Sequence, residues 1–187
     1  MQPLAPFTRV VTGHTPAGKA VITSHGPTPE QFPIAAIPGM LFQEVWNTQG
    51  LPVILDNGAD PTAGKPLRLA PDKGTSLIRV VDIPPDSVQN QASTEAINAT
   101  LAAVGQGAGP RDCSRHKLMH RTETLDYGIL VQGELWLVLD DDEIRLKPGD
   151  IVVQRGTHHA WSNRTEEMAR IVFVLLDGRY AVDCCPG

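Results

Sequence analysis

The chain has 187 residues and a net charge of −5, so it fits one domain and gives no electrostatic reason to bind nucleic acid or an acidic membrane. With 17 glycines, 16 prolines and 5% aromatic residues, it is composed for many turns between short strands. No stretch reaches the roughly 20 apolar residues of a membrane span, and no basic leader is present, so a cytoplasmic protein is expected.

In chain order, the β-branched run Thr8–Thr12 and the return Ala20–Thr23 flank Pro16-Ala-Gly18, which predicts a hairpin. A proline-punctuated loop follows, then a strand over Leu41–Trp46. Residues 56–74, rich in Asp, Asn, Gly, Pro and Lys, read as a long surface loop. Thr75–Ile83 is a strand stopped by Pro84-Pro85. One short helix is expected from Thr94 to Val104: Ser93 or Thr94 caps it, Ala96, Ile97, Leu101 and Val104 recur at helical spacing, and Gly105 ends it. Gly107–Pro110 is a connector.

From residue 115 strand signals become dense. Ile129–Val131, Leu135–Leu139, Ile144–Leu146, Ile151–Val153, His159–Trp161 and Arg170–Leu176 are short strands, separated by the turns Gln132-Gly-Glu, Asp140–Asp142, Lys147–Asp150 and Arg155-Gly156. This spacing predicts an all-β, closed or sandwiched antiparallel structure. Cys113 stands alone and Cys184–Cys185 are adjacent, so the cysteines form no disulfide framework and are expected as reduced thiols.

Chemistry-bearing side chains concentrate in two segments, 116–133 and 149–163. Strand alternation puts His120 and Thr122 on one face, and likewise His159, Trp161 and Asn163. The same alternation turns Tyr127 away from Asp126, and His158 away from His159. His116 is expected at the surface or at a pocket rim.

These segments resemble the two cupin motifs, G-x5-H-x-H-x3-4-E-x6-G and G-x5-P-x-G-x2-H-x3-N. His120 falls on the first histidine, Thr122 on the second, Asp126 on the glutamate and Gly133 on the closing glycine. Gly149, Gly156, His159 and Asn163 match the second motif, with Gln154 at the proline position and one residue fewer before it. The chain is similar to small bacterial and fungal cupins that carry His120-Arg-Thr-x-Thr-x-Asp126-Tyr-Gly and Val152-Val-Gln-Arg-Gly-Thr-x-His159-Ala-Trp-x-Asn163.

The resemblance implies a double-stranded β-helix, the cupin jelly-roll barrel, with an N-terminal hairpin extension. Residues 1–110 would pack on a barrel core at 111–180 within one structural domain, and whether 24–110 roof the barrel mouth is not decided by the residues. Related cupins hold a metal through three histidines and a glutamate. Here His120, Asp126 and His159 would remain as ligands and catalytic groups, a two-imidazole, one-carboxylate set suited to a divalent Fe, Zn or Mn ion. Thr122 and Trp161 are expected to line the substrate pocket, and Arg155 either binds a substrate carboxylate at the rim or forms a surface ion pair.

The functional expectation is a metal-dependent enzyme on a small organic acid or an aromatic or polyketide metabolite, of lyase or isomerase type. Alternatives at the same residues are an Fe(II) dioxygenase, metal-free acid–base catalysis, and non-catalytic ligand binding. The resemblance also implies a homodimer.

Overall fold

The structure, a computed structural model, describes residues 2–16, 18–50, 52–105 and 112–181. The expected hairpin forms from β1 (Arg9–His14) and β2 (Ala20–Gly26), which stand apart as a two-stranded sheet. Two short elements go beyond the expectations. β3 (Glu30–Pro33) lies where a loop was expected; it pairs with β4 (Leu41–Asn47), which supplies the order that its few residues and flanking prolines do not signal. After β5 (Ser76–Ile83), the single turn α1 (Asp86–Gln89) follows Pro84-Pro85, so the described residues hold two helices rather than one.

The expected helix is α2 (Thr94–Ala103). The Ser93 hydroxyl accepts from the Ala96 amide at 3.1 Å, satisfying one orphan donor of the first turn. The strand-rich half comprises β6 (Thr124–Gln132), β7 (Leu135–Leu139), β8 (Glu143–Leu146), β9 (Ile151–Arg155), β10 (His159–Ser162) and β11 (Ala169–Asp177).

Two larger sheets carry the fold. One has six strands in the order β3-β4-β5-β11-β6-β9, and the other three, β10-β7-β8. Their inner faces share one apolar core, in which Val81, Leu130 and Ile171 from the first sheet meet Leu135, Leu137 and Trp161 from the second. Leu130, Leu135 and Ile171 are completely buried, each contributing roughly 1.5–3 kcal/mol by removal from water. This is the expected cupin jelly roll. Because β5 pairs with β11 along its full length, β4 and β5 are members of the barrel sheet itself, and residue 110 does not separate extension from barrel.

The turn glycines serve as expected. Gly133 has φ +78°, and a Cβ there would meet the Met168 carbonyl oxygen at 2.7 Å. Asn163, completely buried, ties backbone together: its Nδ2 donates to the carbonyls of Ile83 at 3.0 Å and Glu167 at 2.8 Å. Among the described residues no helix is long and apolar enough to cross a membrane. Cys113 is a half-buried free thiol; Cys184 and Cys185 lie outside the described residues, as do Gly107–Pro110 of the connector.

Candidate active site

A cavity of about 120 Å³ opens between the sheets. It is mostly apolar, with Phe42, Val81, Trp161, Phe173 and Leu175 among its walls, and its polar side chains are His120, Thr122, Asp126, His159 and Arg79. Met40, Leu69 and Leu101 line it from the segment between residues 24 and 110, so that segment contributes to the cavity wall.

His120 lies just before β6 and forms an isolated antiparallel bridge with His159 on β10, each amide donating to the other's carbonyl at 2.9 Å. Backbone pairing therefore sets the two imidazoles side by side, with ring centroids 4.5 Å apart. Carbonyl oxygens only accept, so the close approach of His120 Nδ1 to the Leu118 carbonyl (2.8 Å) and of His159 Nδ1 to the Thr157 carbonyl (2.9 Å) favours the proton on Nδ1, against a longer contact of Gln154 Nε2 with His159 Nδ1 (3.2 Å). Nε2 is then the basic nitrogen of each ring. Burial, helped by the neighbouring His120, pushes His159 down to about 3, so its imidazole is neutral at physiological pH. Trp161 stands edge-on to His159 at 5.6 Å and to Phe173 at 5.2 Å, lining the cavity as expected.

Asp126 faces inward from β6, where Thr124, Asp126, Gly128 and Leu130 alternate with exposed or half-buried neighbours. It is 5% exposed, and its Oδ1 has no hydrogen-bond partner among the described residues. Burial pushes its carboxyl up to about 6, against the opposing pull of the Thr124 hydroxyl and the Arg79 charge. Thr122, which lines the cavity, lies 2.7 Å from Thr124 Oγ1; with Thr124 donating to the carboxyl, Thr122 donates to Thr124.

Arg79 was not singled out by the sequence. It is 2% exposed on β5, inward-facing beside Val81 and Ile83. Its Nε pairs with Glu44 Oε1 at 3.0 Å, and its Nη atoms donate to the carbonyls of Leu69 (3.3 Å) and Arg68 (2.5 Å). The signal was a lone cation alternating with Leu77, Val81 and Ile83 on the inward face of the strand; it was masked because β5 is buried on both faces.

Arg155 lies on the outer surface, which agrees with the surface alternative rather than with a place in the cavity lining. β9 alternation buries Gln154 and exposes Arg155, which does not line the cavity. His116 is corrected: it is buried, with Nδ1 accepting from the Leu118 amide at 3.1 Å and Nε2 directed at Asp86 Oδ1 at 3.4 Å. Asp86 in turn accepts from Ser162 Oγ at 2.5 Å and the Asn163 amide at 2.8 Å, so His116 helps pin α1 to the end of β10. His158 turns away from His159 to Asp140 at 2.7 Å, and Tyr127 faces outward, both as expected.

The expected metal triad is only partly assembled. His120 and His159 come together, but Asp126 is held by Thr124 and the field of Arg79. Among the described residues no group of three His, Cys, Asp or Glu side chains is placed to hold an ion.

Residues 106–175, which carry β6 to β10, most of β11 and every polar cavity group except Arg79, match the Cupin_2 family, Cupin domain. Beyond that segment, the chain is 33% identical over 178 residues to phomopsin biosynthesis cluster protein C′ of Diaporthe leptostromiformis, covering 91% of this chain and 78% of the relative. The chain belongs to the cupin family. This cupin also shares 45% identity over 69 residues with the cupin-domain-containing oxidoreductase srdD of Neurospora crassa, 35% of each chain. Among solved structures, it is similar to the Schizosaccharomyces pombe Cnp3 cupin domain at 11% identity and a TM-score of 0.44, over 91% of this chain and 87% of that one.

Proposed function

We propose that this cupin catalyses proton transfer on a small, largely apolar carbonyl metabolite, in an isomerisation, dehydration or ring closure without net oxidation. The observation that carries this reading is the buried carboxyl of Asp126, raised to about 6 and with Oδ1 unpartnered among the described residues, in an apolar cavity shared with two imidazoles whose Nδ1 atoms face backbone carbonyls. Such a pairing separates an acid from a base in one largely apolar chamber. An imidazole Nε2 takes a proton from carbon beside the carbonyl, while the Asp126 carboxylic acid delivers its proton to the carbonyl oxygen or a departing hydroxyl. The Thr122–Thr124 hydroxyls hold the carboxyl in place. Kinship with a biosynthesis-cluster protein supports a secondary metabolite as substrate.

The test uses chelator-treated protein in D2O with a panel of cyclic enones and β-hydroxy ketones, followed by NMR. Deuterium exchange or water loss is expected with the native chain and absent in Asp126→Asn and His120→Ala. Full turnover in Asp126→Asn, or none in the native chain after chelation, contradicts the reading.

A second reading, metal-dependent oxidoreductase chemistry, draws on the named activity of the srdD relative and on the anchoring of both Nδ1 atoms, an arrangement that metal-binding histidines use. It requires Asp126 to leave Arg79 and Thr124. Near-stoichiometric metal in the purified chain, lost in His120→Ala, would favour it. A homodimer is proposed on the family resemblance, and a monomer mass by light scattering would contradict that.

A further inference from the structure

A second apolar cavity of about 50 Å³ lies against the cavity holding Asp126, and Met40, Phe42, Leu69, Arg79, Leu101 and Leu118 border both. The far wall of this second chamber is Ile34, Ile37, Leu67, Ile97 and Val104, beneath α2. Its polar side chains, Thr100 and Arg79, are committed elsewhere. Thr100 Oγ1 donates to the Ala96 carbonyl at 2.8 Å, and the Arg79 guanidinium is spent on Glu44 and two carbonyls. Apart from these two, every described lining side chain is hydrocarbon or thioether, so the chamber favours an apolar substituent. Of the side chains that border both chambers, the unbranched Met40 is the most able to shift and admit a thin chain, with Leu101 and Leu118 beside the same two cavities.

We propose that the substrate carries a short unbranched aliphatic chain, seated in the chamber beneath α2 while its oxygen-bearing head lies between Asp126 and the His120–His159 pair. The position of the head rests on the proton-transfer reading; the chain rests on the second chamber alone. Leu101 and Val104 are then the residues that set chain length.

The experiment is calorimetric titration of chelator-treated protein with 4-n-alkylphenols, from phenol to 4-n-hexylphenol. Each added methylene is expected to tighten binding about fourfold until the chamber is full (about 0.8 kcal/mol per methylene). Leu101→Trp blocks the passage and is expected to bind phenol as the native chain does while flattening the series. Val104→Phe, at the far wall, is expected to bring the plateau earlier, so the inference stays testable if Leu101→Trp does not fold. A flat native series, no binding of any member, or a slope unchanged in both variants overturns the inference. Asp126→Asn separates the two readings: loss of turnover with the slope retained is expected. A retained slope with no turnover in any chain defeats only the proton-transfer reading, and turnover with a flat series defeats only this one.

Discussion

Asp82 and Asp126 sit on the two strands that flank β11, and each is 5% exposed, yet their surroundings are opposite. Asp82 faces the outer side of the sheet and is gripped by Arg170 through two hydrogen bonds of 2.5 and 2.8 Å. Arg170 also donates to the Ala5 carbonyl at 2.7 Å and lies over Phe7, so the pair fastens the N-terminal segment to the sheet. Asp126 faces inward, with one oxygen unpartnered. Equal burial therefore gives two different carboxyls: one held by a fork-shaped cation as a clasp, the other left poised to exchange a proton.

The largest effects should break this comparison cleanly. Asp126→Asn is expected to lower turnover 10²- to 10⁴-fold, the usual contribution of a positioned acid–base group, without lowering thermal stability. Asp82→Ala is expected to do the reverse. It strands the Arg170 guanidinium and costs about 3–5 kcal/mol in denaturant unfolding, while the surviving folded protein keeps its proton-transfer rate. Loss of stability in Asp126→Asn comparable to that in Asp82→Ala would make both carboxyls structural.

The pH dependence sharpens the contrast within the cavity. Asp126 has a folded value of about 6, above the ~3.9 of an unfolded aspartate, so its contribution to stability is complete below about pH 4 and is lost as pH rises through about 6. His159 has a folded value of about 3, below the ~6.5 of an unfolded histidine. Its contribution is complete above about pH 6.5 and is lost as pH falls towards 3. Between pH 4 and 6 the two oppose each other. Melting temperatures across that window should rise with pH more steeply in Asp126→Asn than in the native chain, and His159→Gln should shift the slope downwards. Parallel profiles for all three proteins would contradict the assignment.

The smallest expected effect concerns the wall between these groups. A Cβ at Gly128 would come within 3.2 Å of Phe173 Cε1 and 3.3 Å of Trp161 Cη2. Gly128→Ala should therefore crowd the rings, with a loss of about 1 kcal/mol in thermal unfolding and weaker ligand binding. An unchanged melting point and affinity would show that the rings have room to move.

Much of the inward-facing site was legible because strands alternate. Asp126 and Tyr127 on β6, and His159 and Trp161 on β10, fell on the faces their parity assigns. Arg155 was read as part of a turn, and its place beside Gly156 hid that β9 continues through it. His116 and Asp86 are 30 residues apart, and no local period reports a contact between them. Arg79 was hidden because Val80 and Asp82 are buried on the opposite face of β5, leaving no polar–apolar rhythm to expose a cation out of place. The order of the barrel strands was readable, although β6 begins at Thr124 rather than at the expected Ile129, whereas β3 and α1 are ordered by partners distant in sequence.

The most direct test of the account is a carbon-13 NMR titration of the Asp126 carboxyl in chelator-treated protein, assigned by its disappearance in Asp126→Asn. A midpoint near 6, unaffected by Asp82→Asn, is the predicted result. A midpoint below 4 would show a carboxylate that is charged and paired in the folded chain, and would contradict its role as the proton donor of the cavity.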